Sequence, residues 1–411
     1  MSMDKATSLS MKNALQPPYL SNPYPLYRQL RESDPVHWDQ EANAWVLTRY
    51  ADVMEALRDP RLSAGRMSAE NYNLPEPLRE KGEEITSIIA RQILFLNPPD
   101  HTRLRGLVSK AFTPRRIEAM RAQIQEIVDQ LLDEVQGKGR MEVLSDFAFP
   151  LPSIVIAQML GVPPEDREQF AQGTVAFGEL IDGAIKTPQD MQQIFFKVAD
   201  FLDYFRQLIA LRRGHPQDDL IQALLVAEEQ GETLSEEEII SNCLLLLAAG
   251  HGTTIDAIGN GLAALHQYPD QLQDLQKHPA LITAAVQELL RYDGPVQRTA
   301  RIAQEDLEIG GKRIQAGDEV ITCLGAANHD PEQFPNPDCL DLRRNEHKML
   351  SFGQGIHFCL GSPLARLELE IAFNTLLARF PEMRIETPEL KWEGSLTFRG
   401  LQELPVSFTR S

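Results

Sequence analysis

The 411-residue sequence is poor in cysteine, in aromatic residues and in positive charge. Its four cysteines, Cys243, Cys323, Cys339 and Cys359, are far apart and form no CxxC pair. This spacing argues against a disulfide scaffold and an iron–sulfur cluster, and it indicates a reducing, cytoplasmic environment. With 40 Lys and Arg against 59 Asp and Glu, the net charge is −19. The chain therefore lacks the basic footprint of a general nucleic-acid-binding protein.

Long hydrophobic runs are also missing. No stretch reaches about 18 uninterrupted apolar residues, so no membrane anchor is predicted. Residues 1–16 lack the apolar core of a signal peptide and are predicted to be a flexible N-terminal tail. No Gly/Ser-rich or charge-block linker divides residues 17–411, which we expect to form one domain. Hydrophobic residues make up 43% of the chain, enough for a core that encloses a large cofactor.

The periodicity predicts a mainly α protein with a small β portion. Helical spacing of apolar residues is clearest in three segments: 111–135, 195–213 and Ser235–His266. The last begins with the capping-box pattern Ser235-x-x-Glu238. Strand patterns are few: 43–50, a hairpin and a following strand within 307–324, and an edge strand at PVSFTR near the C-terminus.

A glycine-rich loop, Phe352-Gly-Gln-Gly-Ile-His357-Phe-Cys359-Leu-Gly361, precedes an amphipathic helical pattern. Its three glycines permit backbone conformations and close approaches that side chains would block. Cys359 would lie just before a helix N-terminus, where the dipole and free N–H groups favour a thiolate. A thiolate can ligate haem iron. The alternative, a buried and inert cysteine, is the interpretation for the other three cysteines.

The longest predicted helix contains Ala249-Gly250-His251-Gly252-Thr253-Thr254. Two glycines beside two β-branched threonines are poor helix formers, so we expect the helix to bulge or open there. A notch of small residues would also let a flat ligand approach the backbone. The alternative is helix–helix packing through small residues.

The loop resembles the haem-binding signature of cytochromes P450, FGxGx[RH]xCxG, at every specified position. The resemblance runs from Pro23 to the C-terminus and is closest to the soluble bacterial branch. It implies a cytochrome P450-like single domain with a long central helix and a haem-thiolate loop. It further implies haem b (iron protoporphyrin IX), with Cys359 as axial iron ligand and Phe352, His357 and Gly361 at the cofactor.

The notch in the long helix is similar to the P450 oxygen-binding motif, [AG]Gx[DE]T[TS]. The resemblance implies that Thr253 is catalytic and that Ala249 and Gly250 border the haem. Gly252 stands where the motif has an acid, so protons must reach Thr253 by another route. His251 or Asp256 could deliver them; for each, an outward-facing, solvated position is the alternative.

Further positions match family motifs. His101, Arg105, Arg301 and His357 are implied to bind the haem propionates, and a surface position is the alternative for each taken singly. Glu288 and Arg291 match the structural ExxR pair. Cys339 stands where the family usually has a third, arginine partner. Arg343, Arg344 or backbone carbonyls could replace it.

The resemblance implies a monooxygenase that inserts one atom of O2 into an apolar organic substrate that is lipid-, terpenoid-, steroid- or macrolide-like. Val296 and Phe398 are implied substrate contacts, together with the variable segments 62–95 and 165–195. The chain has no dinucleotide fingerprint, so electrons would come from an external ferredoxin and ferredoxin reductase. A basic cluster is either a docking patch for that donor or a solvated helix face: Arg103, Lys110, Arg115, Arg116 and Arg121. A peroxide-driven peroxygenase and a non-catalytic haem or gas-sensing protein are the rival functions.

Overall fold

A computed structural model describes residues 9–65, 79–110, 112–182, 188–229, 231–345 and 348–409. Its α-helices are α1 Tyr24–Ser33, α2 Tyr50–Arg58, α3 Arg79–Ala90, α4 Asp100–Ser109, α5 Pro114–Ala119, α6 Arg121–Gln136, α7 Pro150–Met159, α8 Arg167–Asp182, α9 Pro188–Gly214, α10 Leu220–Leu225, α11 Glu236–Gln267, α12 Pro269–Lys277, α13 Ile282–Tyr292, α14 Leu324–Ala327 and α15 Ser362–Arg379. Its strands are β1 Val36–Asp39, β2 Ala44–Leu47, β3 Leu62–Ser63, β4 Arg140–Glu142, β5 Glu228–Glu229, β6 Glu232–Thr233, β7 Arg298–Ala303, β8 Leu307–Ile309, β9 Lys312–Ile314, β10 Glu319–Cys323, β11 Arg384–Ile385 and β12 Pro405–Ser407.

The central element is α11, whose 32 residues span about 48 Å. Its start is set by the predicted capping box, in which the Ser235 and Glu238 side chains each accept a backbone N–H bond from the other residue. By length and apolar content, α11 is the one described helix that could cross a membrane. In this fold it packs against α3, α7, α8, α9, α13 and α15 as a core helix.

The β portion is small and lies beside the helices. A five-stranded sheet has the order β1-β2-β10-β7-β3, and β8 and β9 form the predicted hairpin. A three-stranded sheet has the order β11-β12-β4. The prediction of an edge strand at PVSFTR is therefore wrong, because β12 is the middle strand. Its two neighbours come from residues far away in the chain, which its own alternation pattern does not reveal.

Two predicted elements have different bounds. The single helix expected over 111–135 is divided into α5 and α6 at Met120, which ends the first and begins the second. The strand expected over 43–50 covers only Ala44–Leu47, because Tyr50 already begins α2. The helices α9 and α15 occur where apolar spacing predicts them.

The predicted flexible tail is wrong over its described part. Met11–Leu15 form a 3-10 helix, and Met11 is completely buried. The Ser10 hydroxyl lies 3.0 Å from both carboxylate oxygens of Asp39, and the Met11 N–H donates to the same carboxylate at 2.7 Å. A buried carboxylate needs such donors, so this segment is part of the folded domain. Residues 1–8 of the predicted tail lie outside the described residues.

Candidate active site

The loop around Cys359 is shaped by its backbone. Gly353 and Gly355 have φ of 67° and 72°, and a Cβ on Gly355 would lie 2.5 Å from the Leu57 carbonyl oxygen. Both positions therefore require glycine. The Cys359 N–H donates to the Phe352 carbonyl at 2.9 Å, which closes the loop directly before α15. Gly361 differs from the expectation: its φ is −79°, and an added Cβ would contact nothing within 4 Å.

The Cys359 thiol is subject to opposing electrostatic effects. Burial raises its pKa, whereas the backbone N–H groups of Gly361 and Ser362 and the guanidinium groups of Arg105 and Arg366 lower it. The net shift is upward. The backbone N–H groups at the start of α15 thus favour the thiolate, as predicted, but desolvation of the sulfur has the larger effect. A metal cation bound directly to the sulfur would favour the thiolate further.

Basic side chains meet beside this loop. The buried ring of His101 on α4 has its centroid 4.3 Å from that of His357. One turn later on α4, Arg105 donates to the Phe358 carbonyl at 2.7 Å. Burial and the Arg105 charge lower the His101 pKa. Three of the four predicted propionate ligands thus lie together. The fourth, Arg301, is buried on β7, where Nη1 donates to the Thr299 hydroxyl and the Ala300 carbonyl.

These residues fit a haem by a direct structural test. Both ring nitrogens of His101 are buried and have no hydrogen-bond partner among the described residues. The same holds for Nε of Arg366, whose guanidinium lies 4.9 Å from the centroid of the Phe352 ring. Buried polar atoms without partners are costly and rare, so donors of this kind are suited to a ligand's carboxylates. The sequence reasoning missed Arg366, although it falls in the first turns of the helix that follows the signature.

The small-residue stretch of α11 has two different faces. Ala249 and Gly252 are exposed although most of the helix is buried, and Thr253 lies on the same face. Gly250 faces α7 instead, where an added Cβ would lie 2.9 Å from Ile156. The direction of this glycine, toward α7, does not support its predicted position at the cofactor. Packing of two helices explains this glycine.

The predicted bulge is wrong, because α11 is a continuous α-helix from Glu236 to Gln267. The Thr253 hydroxyl donates to the Ala249 carbonyl at 2.7 Å, and the Thr254 hydroxyl to the Gly250 carbonyl at 2.8 Å. Each hydroxyl thus finds its partner within the helix, four residues back. The weak helix formers are tolerated because tertiary packing outweighs their propensity.

The two alternative proton sources, His251 and Asp256, both pack against other parts of the domain. His251 is buried edge-to-face on Phe149 at 4.6 Å, and burial lowers its pKa to about 4. It is therefore neutral at pH 7. The Asp256 carboxylate lies against Gly400, where an added Cβ would overlap it.

The Glu288–Arg291 pair is buried and has a third partner. Arg291 binds the Glu288 carboxylate through Nε and Nη2, both at 2.7 Å. Nε of Arg344 lies 3.1 Å from both oxygens of the same carboxylate. Arg344 also donates to the carbonyls of Pro335 and Cys339. Arg343 is not the substitute, because it pairs with Asp274 at the surface.

The two predicted substrate contacts are brought together by an isolated antiparallel bridge, Val296 with Phe398. The Gln297 N–H donates to the Thr397 carbonyl and the Arg399 N–H to the Pro295 carbonyl, each at 2.8 Å. Both bridge residues are half-buried. The variable segments 62–95 and 165–195 lie partly outside the described residues.

The predicted basic cluster is largely neutralised. Arg103 pairs with Glu238 and Glu232, Arg116 with Asp218, and Arg121 with Glu118. These ion pairs make the surface mixed in charge rather than cationic.

Comparisons with known proteins agree with this geometry. The family model described as "Cytochrome P450" matches residues 78–396. The chain is 43% identical over 395 residues to a Bacillus subtilis "Biotin biosynthesis cytochrome P450", covering 95% of this chain and 97% of that protein. It is 40% identical to the "Polyketide biosynthesis cytochrome P450 PksS" of the same organism, covering 95% and 96%.

Solved structures show the same similarity. The crystal structure of P450BioI in complex with an acyl carrier protein ligated to hexadec-9Z-enoic acid superposes with a TM-score of 0.86 at 42% identity, covering 97% of this chain and all of that one. The family match and these identities over nearly the full length leave one assignment. The chain belongs to the cytochrome P450 family and is a haem-dependent monooxygenase, an oxidoreductase.

Proposed function

We propose that this P450 oxygenates a long apolar acyl or polyketide-like chain, using haem b and electrons from an external ferredoxin and ferredoxin reductase in the cytoplasm. The carrying observation is the convergence of buried, basic and unpartnered groups beside Cys359. Two relatives support the substrate class: one was crystallised with a C16 acyl group on a carrier protein, and one is named for polyketide biosynthesis. The terpenoid, steroid and macrolide-like classes remain competing hypotheses.

The proposed roles at the cofactor follow from chemistry and position. Haem supplies the oxygen-activating chemistry when it is bound, and the sulfur of Cys359 would be its protein ligand. His101, Arg105, His357 and Arg301 would hydrogen-bond the two propionates, which explains why the His101 nitrogens have no partner within the described residues. Phe352, Gly361 and Ala249 would border the macrocycle. Glu288 and Arg291, held by Arg344, would keep the segment before the loop in place.

Thr253 would hold and pass a proton through its hydroxyl oxygen. That hydroxyl is bonded to a helix carbonyl, so its oxygen keeps lone pairs to accept a hydrogen bond from water. Gly252 beside it carries no acid, and His251 is neutral at pH 7. Water on the exposed face of Ala249 and Gly252 is therefore the proposed proton route.

The proposed electron-donor surface centres on the Cys359 loop rather than on the neutralised basic cluster. Ile356 and Phe358 are 51% and 36% exposed there. These two neighbouring apolar side chains would be the centre of the contact with the electron donor. Arg58 contacts Gln354, so a cationic group adjoins this apolar surface.

The test is a spectral titration of the purified haem protein with three probes: hexadec-9Z-enoic acid, the same chain on an acyl carrier protein, and testosterone. A substrate-induced shift of the Soret band with either acyl probe but not the steroid supports the proposal, and a shift with testosterone alone would overturn the substrate class. Turnover with ferredoxin, reductase and NAD(P)H is then compared with turnover on hydrogen peroxide alone. Peroxide-only turnover would identify a peroxygenase, and no turnover with either would favour a sensor.

A further inference from the structure

A buried asparagine connects the long helix to both predicted substrate-contacting segments. Asn260 lies on α11, seven residues or about two turns after Thr253, and its side chain is 1% exposed. Its Nδ2 donates to the Asp293 carbonyl at 3.1 Å and to the Arg399 carbonyl at 2.8 Å. One amide group therefore uses both of its N–H bonds on two segments that are about a hundred residues apart in sequence.

These two segments carry Val296 and Phe398. Backbone bonds join them to each other, from Gln297 to Thr397 and from Arg399 to Pro295. Without a further contact, such a two-stranded unit could shift as a whole relative to α11. By bonding to one carbonyl on each segment, the Asn260 amide fixes the unit to the helix that carries Thr253.

A second contact supports the same attachment one turn earlier. Asp256 and Asn260 are four residues apart and share a face of α11. The Asp256 carboxylate lies so close to Gly400 that a methyl group on Gly400 would overlap it. The segment is thus hydrogen-bonded to α11 at Asn260 and packed against it one turn earlier at Asp256, and Arg399 also forms a buried ion pair with Asp293.

We infer that Asn260 is a positioning residue for regioselectivity: it sets where Val296 and Phe398 hold the substrate relative to Thr253. The inference rests on the proposed substrate contacts. Asn260 itself touches neither the substrate nor the reacting atoms. The Asn260 Oδ1 is buried without a partner among the described residues. The side chain is therefore used here for its two N–H donors and not for its acceptor.

The experiment compares Asn260→Ala and Asn260→Asp with the matched control His266→Ala. His266 lies on the same helix, and its ring nitrogens contact the Leu262 and Met383 carbonyls rather than the Val296 or Phe398 segment. Asn260→Asp keeps the shape of the side chain but sets a carboxylate oxygen against two carbonyl oxygens. It keeps the inference testable if the alanine variant does not fold.

Two readouts are taken on the haem-loaded enzyme. Amide hydrogen exchange is measured at Gln297 and Arg399, with Ile321 in the large sheet as internal reference. The distribution of oxygenated products from hexadec-9Z-enoic acid is measured in parallel, with Val296→Phe as a comparison. We expect faster exchange at Gln297 and Arg399, unchanged exchange at Ile321, and product ratios shifted by about two- to tenfold in both Asn260 variants. His266→Ala should change neither readout.

Unchanged exchange at Gln297 and Arg399 in both Asn260 variants would overturn the inference. Unchanged product ratios in those variants, with a shift in Val296→Phe, would overturn it while leaving the proposed function intact. Unchanged ratios in Val296→Phe as well would reject the substrate contacts and the inference with them. If the acid is not turned over at all, the proposed substrate class fails, and the exchange comparison alone decides whether Asn260 positions the two segments.

Discussion

At the scale of single residues, Cys359 shows how burial and charge compete. Its thiol has a raised pKa in spite of two backbone N–H groups and two guanidinium groups, because the sulfur is desolvated. A metal cation bound to this sulfur would act in the same direction as the N–H and guanidinium groups and favour the thiolate. A cysteine made reactive by its surroundings alone would show the opposite shift.

Cys359→Ser is predicted to abolish the thiolate signature in the spectrum of the reduced, CO-bound protein. A serine hydroxyl does not supply the electron-rich sulfur that shifts this band. The matched control is Cys339→Ser, because Cys339 is exposed, contrary to the buried position predicted for it, and its backbone carbonyl accepts bonds from Arg291 and Arg344. An unchanged spectrum in Cys359→Ser would reject the assignment of the iron ligand.

Glu368 on α15 predicts a pH dependence of stability. It is 2% exposed, its Oε2 has no partner among the described residues, and burial raises its pKa to about 8. The folded protein therefore keeps this proton between the unfolded pKa of about 4.3 and the folded value. Between these two pH values the unfolded chain has lost the proton and the folded protein still carries it. The free energy of unfolding therefore falls as pH rises, by up to about 1.4 kcal/mol per pH unit, and levels off above the folded pKa.

Glu368→Gln should remove this contribution. Its free energy of unfolding, measured by chemical denaturation of the haem-loaded protein, should match that of the wild type near pH 5 and exceed it at pH 8. Glu370→Gln, two residues along the same helix, is the control. A constant difference between wild type and Glu368→Gln over the whole range would show that Glu368 does not titrate in this way.

At the scale of elements, the contacts around α13 give two arginines that are adjacent in sequence different roles. Arg344 is buried against Glu288, whereas Arg343 pairs with Asp274 at the surface. Removing one partner from a buried charge cluster typically costs about 3–5 kcal/mol, but exposed pairs contribute little. The sequence left the choice between these residues open, and the fold decides it.

Arg344→Ala is accordingly predicted to destabilise the protein by roughly 3 kcal/mol or more and to weaken haem retention. Arg343→Ala should leave unfolding nearly unchanged. Denaturation midpoints and the rate of haem transfer to apomyoglobin measure the two effects. Equal destabilisation by both variants would contradict the assignment of Arg344 as the third member of the cluster.

The missing acid on the exposed face of α11 affects how much product is formed per reducing equivalent consumed. Gly252 stands at the position of the family's acid, and a Cβ there would contact nothing within 4 Å. The face therefore has room for a carboxylate beside Thr253. Because a positioned general acid contributes about 10²–10⁴-fold, we expect the wild type to be poorly coupled and to lose reducing equivalents as hydrogen peroxide.

Gly252→Asp should increase the product formed per NAD(P)H consumed, and Thr253→Ala should lower it. His251→Phe is the control, because a neutral, buried imidazole does not donate protons as a cation. Product, cofactor consumption and peroxide are assayed together. Tight coupling in the wild type that persists in Thr253→Ala would show that Thr253 does not take part in proton delivery.

At the scale of the whole molecule, the N-terminal segment is part of the domain. Ser10 and Met11 bind the buried Asp39 at the end of β1, so they connect the start of the chain to the five-stranded sheet. The sequence offered no sign of this, because a short segment without periodicity has the composition of a tail.

Deleting residues 2–16 should destabilise the protein by about 2–5 kcal/mol, the cost of losing a large buried side chain such as Met11. Deleting residues 2–8 should have little effect, because it keeps the contacts of Ser10 and Met11 with Asp39. Thermal unfolding of the two truncated proteins distinguishes them. Equal stability of both with the full-length chain would show that this segment contributes nothing to the fold.

Local patterns in the sequence were sufficient for the family, the glycine-rich loop before α15 and the longest helices. Such features depend on residues close in the chain: a capping box at Ser235, glycines at 353 and 355, and apolar residues at helical spacing. The interactions that produce each feature involve only a few neighbouring residues, so the feature can be recognised from the sequence alone.

Only the tertiary structure decided the partners of groups that are distant in sequence. It selected Arg344 over Arg343, turned Gly250 toward Ile156, buried His251 on Phe149, placed Asp256 against Gly400 and joined Asn260 to two remote carbonyls. It also kept α11 continuous through two glycines. The physical reason is that burial and hydrogen-bond partners arise from packing between elements, and these energies outweigh the local preferences that a sequence displays.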